Sequence, residues 1–316
     1  MGWVFGIDVG GSSCQVGLFG QEGNLLFQSH FPTGVECESE TFKELLSQEM
    51  EKALGFLSLD RKQVQGIGIG LPGPVTEQRQ VHGFVNLSWE NFDLVSFLEE
   101  SWQVPVLAEN DANLAALGEV WKGEGVSLHS FVFLTLGTGI GGGIILHDQL
   151  LRGERGGAGE LGHMPIMVDQ NGKIMDFESL ASARAMVNRA KKSLWEDQSF
   201  SSLRDLGASM TSKAIFKEAR KGDLIASRVV QETADDLGRG LACIAGVLDP
   251  QAFILGGGMS LSGDLLLKPT ISAFQKYVFS PLKDTPILLS RLGDRAGMFG
   301  AAMLILSALA RRRKSC

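Results

Sequence analysis

The chain has 316 residues, 44% of them hydrophobic and 21% charged, with a formal net charge of -7. That size and composition suit two domains, or one large domain with a deep cleft, and the acidic balance argues against nucleic acid as the main partner. Cys14, Cys37, Cys243 and Cys316 lack any framework spacing, the first strand begins within five residues of the start, and the apolar run 301–310 is too short to span a bilayer, so a cytoplasmic protein with no membrane partner is expected.

In chain order, Val4–Asp8, Cys14–Phe19 and Leu25–Ser29 are expected to form a three-stranded meander, turning at Gly10-Gly11 and Glu22-Gly23. Phe42, Leu45, Leu46, Met50 and Leu54 recur at helical steps after a cap at Ser39 or Thr41. Gly66–Leu71 and Val104–Ala108 are apolar strand candidates, with a helix predicted over Phe92–Leu98 between them, and this order gives a βαβ unit. The pattern then restarts: Ser130–Leu136 and Gly143–His147 flank a second glycine turn. A long helix over Asp223–Leu248, a short strand over Ala252–Leu255 and the turn Gly256-Gly257-Gly258 follow. A final apolar helix, about Gly297–Ala310, could pack back on the N-terminal half, and Cys14 and Cys243 are expected to pack as small apolar groups.

Glycines in both turns let backbone amides approach phosphate oxygens with no Cβ in the way. Gly10, Gly11 and Ser12 in the first turn and Gly137, Thr138 and Gly139 in the second are therefore phosphate-binding candidates, although either turn alone could be an ordinary tight hairpin. Gly137–Gly142 also matches a dinucleotide fingerprint, but an apolar strand follows where that motif needs a helix, so NAD is rejected. Asp8 ends the first strand where a carboxylate could hold Mg²⁺ directly or through water. Glu109-Asn110-Asp111-Ala112-Asn113 opens a helix after a strand; a helix cap explains one such residue but not the cluster, and a carboxylate there is placed as a general base. In the glycine-dense run Gly153–His163, Glu160 and His163 stand three apart, a spacing suited to a polyhydroxylated ligand but also common for surface side chains.

These motifs together resemble the ROK family of sugar kinases and related repressors. The resemblance spans nearly the whole chain through Asp8-Val-Gly-Gly-Ser12, Leu71-Pro-Gly-Pro74, Asn86-Leu-Ser-Trp89, Glu109–Asn113, Leu136–Gly143, Ala158–His163, Phe177–Ser182 and Leu255–Gly258. It implies an α/β protein with a duplicated actin-like, hexokinase-like (ribonuclease H-like) ATPase fold, in two domains with an interdomain cleft. Residues 1–115 with 296–316 are expected to form the smaller domain and 116–295 the larger.

The resemblance further implies that Asp111 is the catalytic base and that Asn86, Asn110, Glu160, His163 and Glu178 complete the sugar site. ATP would lie with its phosphates on the turns at Asp8–Ser12 and Gly137–Gly139, Gly256, Gly257 and Gly258 would approach the nucleoside, and Mg²⁺ would bridge the phosphates near Asp8. Most of the family carries a zinc-binding cysteine cluster after the Gly-His pair. Residues 164–177 contain no cysteine, so zinc is not expected, and packing by Pro165, Ile166, Ile174 and Phe177 is expected to hold that loop. The implied activity is hexose phosphorylation, foremost glucose to glucose 6-phosphate in carbohydrate metabolism. The alternatives are an N-acetylmannosamine or N-acetylglucosamine kinase, polyphosphate in place of ATP, and a non-catalytic sugar-sensing regulator. The resemblance favours a homodimer.

Overall fold

The computed structural model describes residues 2–11, 13–33, 38–73, 75 and 93–314. Ser12 and Asn86, two of the expected site residues, lie outside this set. The meander forms from β1 (Trp3–Val9), β2 (Ser13–Phe19) and β3 (Leu25–Pro32), paired antiparallel. Helices α1 (Ser39–Leu57) and α2 (Leu94–Trp102) flank β4 (Val64–Leu71), and β5 (Val106–Asn110) leads straight into α3 (Asp111–Lys122). β4 and β5 pair parallel to β1 and to each other, giving the strand order β3-β2-β1-β4-β5. The apolar stripe of α1 buries Phe42, Leu46, Met50 and Leu54 as its spacing requires. These pack with Ile7, Ile69, Leu98 and Trp102 in one core.

The second half repeats the plan. β6 (Phe131–Leu136) pairs antiparallel with β7 (Ile140–Leu146), and β8 (Gln149–Leu150) adjoins β7. A separate hairpin, β9 (Pro165–Val168) with β10 (Ile174–Asp176), precedes the helices α4 (Phe177–Ala181), α5 (Ala183–Glu196), α6 (Ser212–Arg220) and α7 (Leu224–Leu248). Then β11 (Ala252–Gly256), α8 (Asp264–Tyr277) and β12 (Ile287–Leu289) close the sheet in the order β12-β11-β6-β7-β8. β11 is parallel to both β6 and β12. Each sheet thus has a glycine turn after its central strand, an antiparallel partner on one side and parallel strands on the other. This is the duplicated, hexokinase-like ATPase fold.

The last helix, α9 (Ala296–Lys314), belongs to the first sheet. Its seat is made by missing side chains. A Cβ on Gly68 would overlap Ala301 O, one on Gly66 would lie 2.6 Å from Ile305, and one on Gly6 would overlap Met298 O. Gly66, Gly68 and Gly70 alternate along β4 and so share one face of the sheet. On the helical side, Cβ atoms on Gly118 and Gly300 would overlap Ala296 O and Leu114 O, so α3 and α9 touch backbone to backbone.

The molecule divides into two compact units, one of Met1–Val126, Leu150–Ala158 and Arg295–Cys316, the other of Ser127–Gln149 and Gly159–Asp294. The first therefore runs beyond residue 115, because α3 as a whole packs on α9, and it takes in a segment from the middle of the chain. Cys14 is buried as expected, whereas Cys243 is exposed on α7 and does not pack as an apolar group. No helix among the described residues is long and apolar enough to cross a membrane.

Candidate active site

In the first unit the C-terminal ends of the parallel strands β1, β4 and β5 lie along one sheet edge, where α/β sheets hold ligands. β5 runs two residues further than its apolar stretch and ends on Asn110. That residue is extended (φ -60°, ψ 142°) and caps α3 by accepting the Asn113 N–H at 3.0 Å. Its Nδ2 donates to Gly73 O at 3.2 Å, and its second N–H has no further partner among the described residues. Asp111 is the first residue of α3 and is half-buried, and one of its carboxylate oxygens accepts the Ala112 N–H at 2.8 Å. A negative charge is favoured at that helix terminus.

Behind this pair lies a buried carboxylate that the sequence offered only as part of a cluster. Glu109 is 4% exposed. Its Oε1 accepts from Asn110 N and from Asn113 Nδ2, both at 3.1 Å, and its Oε2 accepts from Arg152 Nε at 2.5 Å. An ionised group can be buried when it is paired and hydrogen-bonded in this way. Arg152 was not singled out in the sequence, where no spacing links it to Glu109. Asn113 is 2% exposed and its Oδ1 has no partner among the described residues, so it is an acceptor suited to a bound water.

Asp8 lies at the same sheet edge, one residue before the end of β1. A Cβ on Gly70 would lie 3.1 Å from Asp8 Oδ1 and 3.6 Å from Asp111 Cα, and a Cβ on Gly297 would overlap the Asp8 carboxylate. The two glycines leave the space that the carboxylate fills. In the adjacent turn the Gly10 N–H donates to Ser13 O at 2.9 Å and Gly10 O accepts the Thr33 hydroxyl at 2.6 Å, while Gly11 is exposed.

In the second unit the turn after β6 is drawn tight by the Gly137 N–H donating to Gly139 O at 3.0 Å, and Thr138 is exposed. The Ala183 N–H, at the start of α5, donates to Gly137 O at 2.9 Å. Gly257, in the left-handed region at φ 78°, crosses the end of β6 so closely that its Cβ would lie 2.6 Å from Leu136 N and O. The 137–139 and 256–258 turns therefore stand at the ends of two neighbouring parallel strands.

Glu160 and His163 bracket a 3-10 turn that is pinned to β7: Leu161 fills the space over Gly142, and a Cβ on Gly162 would overlap Ile140 O. Glu160 Oε2 and His163 Nε2 are 4.0 Å apart, both exposed. Glu178 sits on the glycine turn, its Oε2 accepting the Ile140 N–H at 2.9 Å and its Oε1 accepting from Arg184 at 2.7 Å. The second unit thus gathers Glu160, His163, Glu178 and the 137–139 turn around Ile140.

The loop between His163 and Glu178 is held by the β9–β10 hairpin. Asp169 Oδ1 accepts the N–H groups of Asn171 and Lys173, and Met164 O accepts the Phe177 N–H at 2.9 Å. Phe177 is fully buried against Gly240, where any Cβ would overlap its ring. Pro165 and Ile174 are exposed and Ile166 is only half-buried, so of the four expected anchors Phe177 alone packs in the core. Asp176 caps α4, accepting the Ser179 N–H at 2.8 Å. Burial pushes the Asp176 carboxyl up, but the Ser179 N–H and hydroxyl and the charges of His163 and Arg184 outweigh it and hold the group below the usual value.

Among the described residues, no three His, Cys, Asp or Glu side chains converge to hold a metal ion. These described residues therefore offer no ligand set for a four-coordinate zinc. A single carboxylate does fit Mg²⁺, which keeps several waters and takes its other oxygens from substrate phosphates, and Asp8 in its glycine-lined space is such a group.

The sequence model of the ROK family matches residues 4–308. The chain belongs to the ROK family. Within it, the chain is 32% identical over 312 residues to the glucokinase of Halalkalibacterium halodurans, covering 96% of this chain and 94% of that one. It is also 30% identical to the xylose repressor of Caldicellulosiruptor bescii, covering 97% of this chain and 79% of the repressor. Among solved structures, a ROK family glucokinase from Streptomyces griseus in complex with glucose and AMPPNP superposes with a TM-score of 0.81 at 33% identity, covering 96% of this chain and 99% of that one.

Proposed function

We propose that this ROK family sugar kinase transfers the γ-phosphoryl group of ATP to a hexose, foremost glucose, giving glucose 6-phosphate. The observation that carries the reading is Asp111, a half-buried carboxylate at the mouth of a strand, fixed by the Ala112 N–H and flanked by Asn110, which caps the helix. Phosphoryl transfer asks the protein mainly to position the acceptor and balance spread negative charge. Asp111 orients the acceptor hydroxyl and takes its proton as the oxygen attacks. Asn110 offers its remaining N–H to a neighbouring hydroxyl, and Asn86, Glu160, His163 and Glu178 complete sugar recognition.

The turns Asp8–Ser12 and Gly137–Gly139 turn backbone amides and hydroxyls toward the phosphates, and Gly256–Gly258 give the nucleoside a close backbone approach. Asp8 would hold Mg²⁺, which when bound neutralises charge on the phosphate oxygens. The homodimer implied by the family resemblance, and the cytoplasmic setting expected from the scattered cysteines, accompany this reading.

A sugar-sensing regulator without turnover is the second reading, supported by the likeness to a xylose repressor over 97% of this chain. ADP release from Mg-ATP, measured with glucose, mannose, fructose, N-acetylmannosamine and N-acetylglucosamine against a no-sugar control, separates the two. A rate stimulated selectively by glucose supports the glucokinase reading, and selectivity for an N-acetylhexosamine replaces it. Sugar binding with no stimulated turnover, on ATP or polyphosphate, favours the sensor.

A further inference from the structure

One acidic side chain is packed on the second glycine turn. Glu178 Oε2 accepts the Ile140 N–H at 2.9 Å, and a Cβ on Gly139 would overlap that oxygen. A carboxylate this close to a turn that receives phosphates repels them unless its charge is balanced. The balance is Arg184, whose guanidinium donates to Glu178 Oε1 at 2.7 Å. Glu178 is 23% exposed at its side chain and Arg184 61%.

Arg184 is also fixed to the turn through the backbone. Its neighbour Ala183 donates its N–H to Gly137 O at 2.9 Å, and fully buried Ser182 caps α5 by accepting the Ala185 N–H at 3.1 Å. The side chain and the main chain of this helix start therefore grip opposite ends of the segment 137–140. Nothing in the expected site assigned a role to Arg184.

We propose that Arg184 is a positioning residue for the nucleotide: by pairing with Glu178 it keeps the carboxylate on the Ile140 N–H and neutralises it, so that the turn presents its amides to an anionic phosphate chain. The inference rests on the phosphate-binding reading of Gly137–Gly139. Because Arg184 is largely exposed, replacing it opens no cavity in the core, and its effect is electrostatic.

The test uses the full chain and Mg-AMPPNP, titrated calorimetrically, alongside initial rates with ATP and glucose. Arg184→Ala is expected to weaken AMPPNP binding about tenfold, as loss of a charged hydrogen bond would, and to raise KM for ATP more than KM for glucose, with Tm unchanged. Arg184→Lys is expected to recover most of the loss. The double variant Arg184→Ala with Glu178→Gln is expected to bind AMPPNP better than Arg184→Ala alone, because the unbalanced carboxylate is gone. Wild-type AMPPNP affinity in Arg184→Ala, or no recovery in the double variant, overturns the proposal while leaving the kinase reading intact. A wild type that binds AMPPNP but phosphorylates no sugar sinks the kinase reading and leaves the Arg184 measurement decisive. A wild type that does not bind AMPPNP overturns both.

Discussion

Glu109 and Arg152 form an ion pair, Oε2 to Nε at 2.5 Å, immediately ahead of the residues that carry the proposed chemistry. Arg152 comes from the 150–158 segment, which joins the first unit though it lies beyond β6 and β7 in the chain. The pair leaves Glu109 Oε1 to hold Asn110 and Asn113 from below. Arg152→Ala removes the partner of a buried charge, and a loss of about 1–3 kcal/mol in stability is expected. As Asn110 and Asp111 loosen, kcat should fall roughly 10- to 100-fold. Thermal melts and steady-state rates check this, and a variant with unchanged kcat would remove Arg152 from the support of the site.

Asp111→Asn keeps the size and the helix-start position of the side chain but removes its basicity. Sugar binding should persist while kcat falls by about 10²–10⁴. Calorimetric titration with glucose and single-turnover rates give the two numbers. Near-normal turnover would end the assignment of Asp111 as base.

Gly297→Ala places a methyl group where the Asp8 carboxylate now lies. The Mg²⁺ concentration for half-maximal activity should rise about tenfold or more, as when a residue orienting a metal ligand is lost. Overpacking against β1 adds a stability cost of about 1–3 kcal/mol. Mg²⁺ titrations at saturating sugar measure the first and denaturant unfolding the second. An unaltered Mg²⁺ requirement would detach Asp8 from the metal.

The α4 cap makes stability depend on acid. The Asp176 carboxyl titrates below its usual value of 3.8 in the fold. Its contribution is therefore complete above the unfolded value and disappears as pH falls through the lower folded one. Asp176→Ala should cost about 1 kcal/mol at neutral pH, as loss of a helix cap does, with the difference from wild type closing below pH ~4. Melting curves from pH 7 to 3 test this, and a gap that widens toward acid would contradict the sign.

With the β9–β10 hairpin and Phe177 holding the loop from His163 to Glu178, exhaustive chelation followed by Mg²⁺ alone should restore full activity and leave Tm where it was. A requirement for added zinc would show that the hairpin does not stand in for a metal staple.

Much of this fold was legible because its signals are local. The two glycine turns, the stripe of α1 and the β4 run each declare themselves within a few residues. The cluster Glu109–Asn113 announced a site for the same reason, since several polar groups crowd the end of an apolar strand. What stayed hidden depends on partners far apart in sequence. Arg152 is 43 residues from Glu109, and only the folded chain brings them together. Pro165 and Ile174 read as loop anchors by their hydrophobicity, yet a two-stranded hairpin has faces to expose, and the burial went to Phe177 because Gly240 leaves room for its ring. Glu178 was expected on the sugar, and its bonds to the Ile140 N–H and to Arg184 could not be foreseen without the course of α4 and α5.

The glycine seat of α9 sets an order of assembly. A ribosome releases residues 1–126 long before 295–316, so β1 and β4 emerge before the helix that covers Gly6, Gly66 and Gly68 has been made. The second unit's two segments, 127–149 and 159–294, are both complete before the helix that finishes the first unit is made. The part of the protein synthesised first is therefore the part completed last. A chain interrupted before residue 295 would carry Gly6, Gly66 and Gly68 without their helix, an uncovered sheet face suited to sticking to other chains.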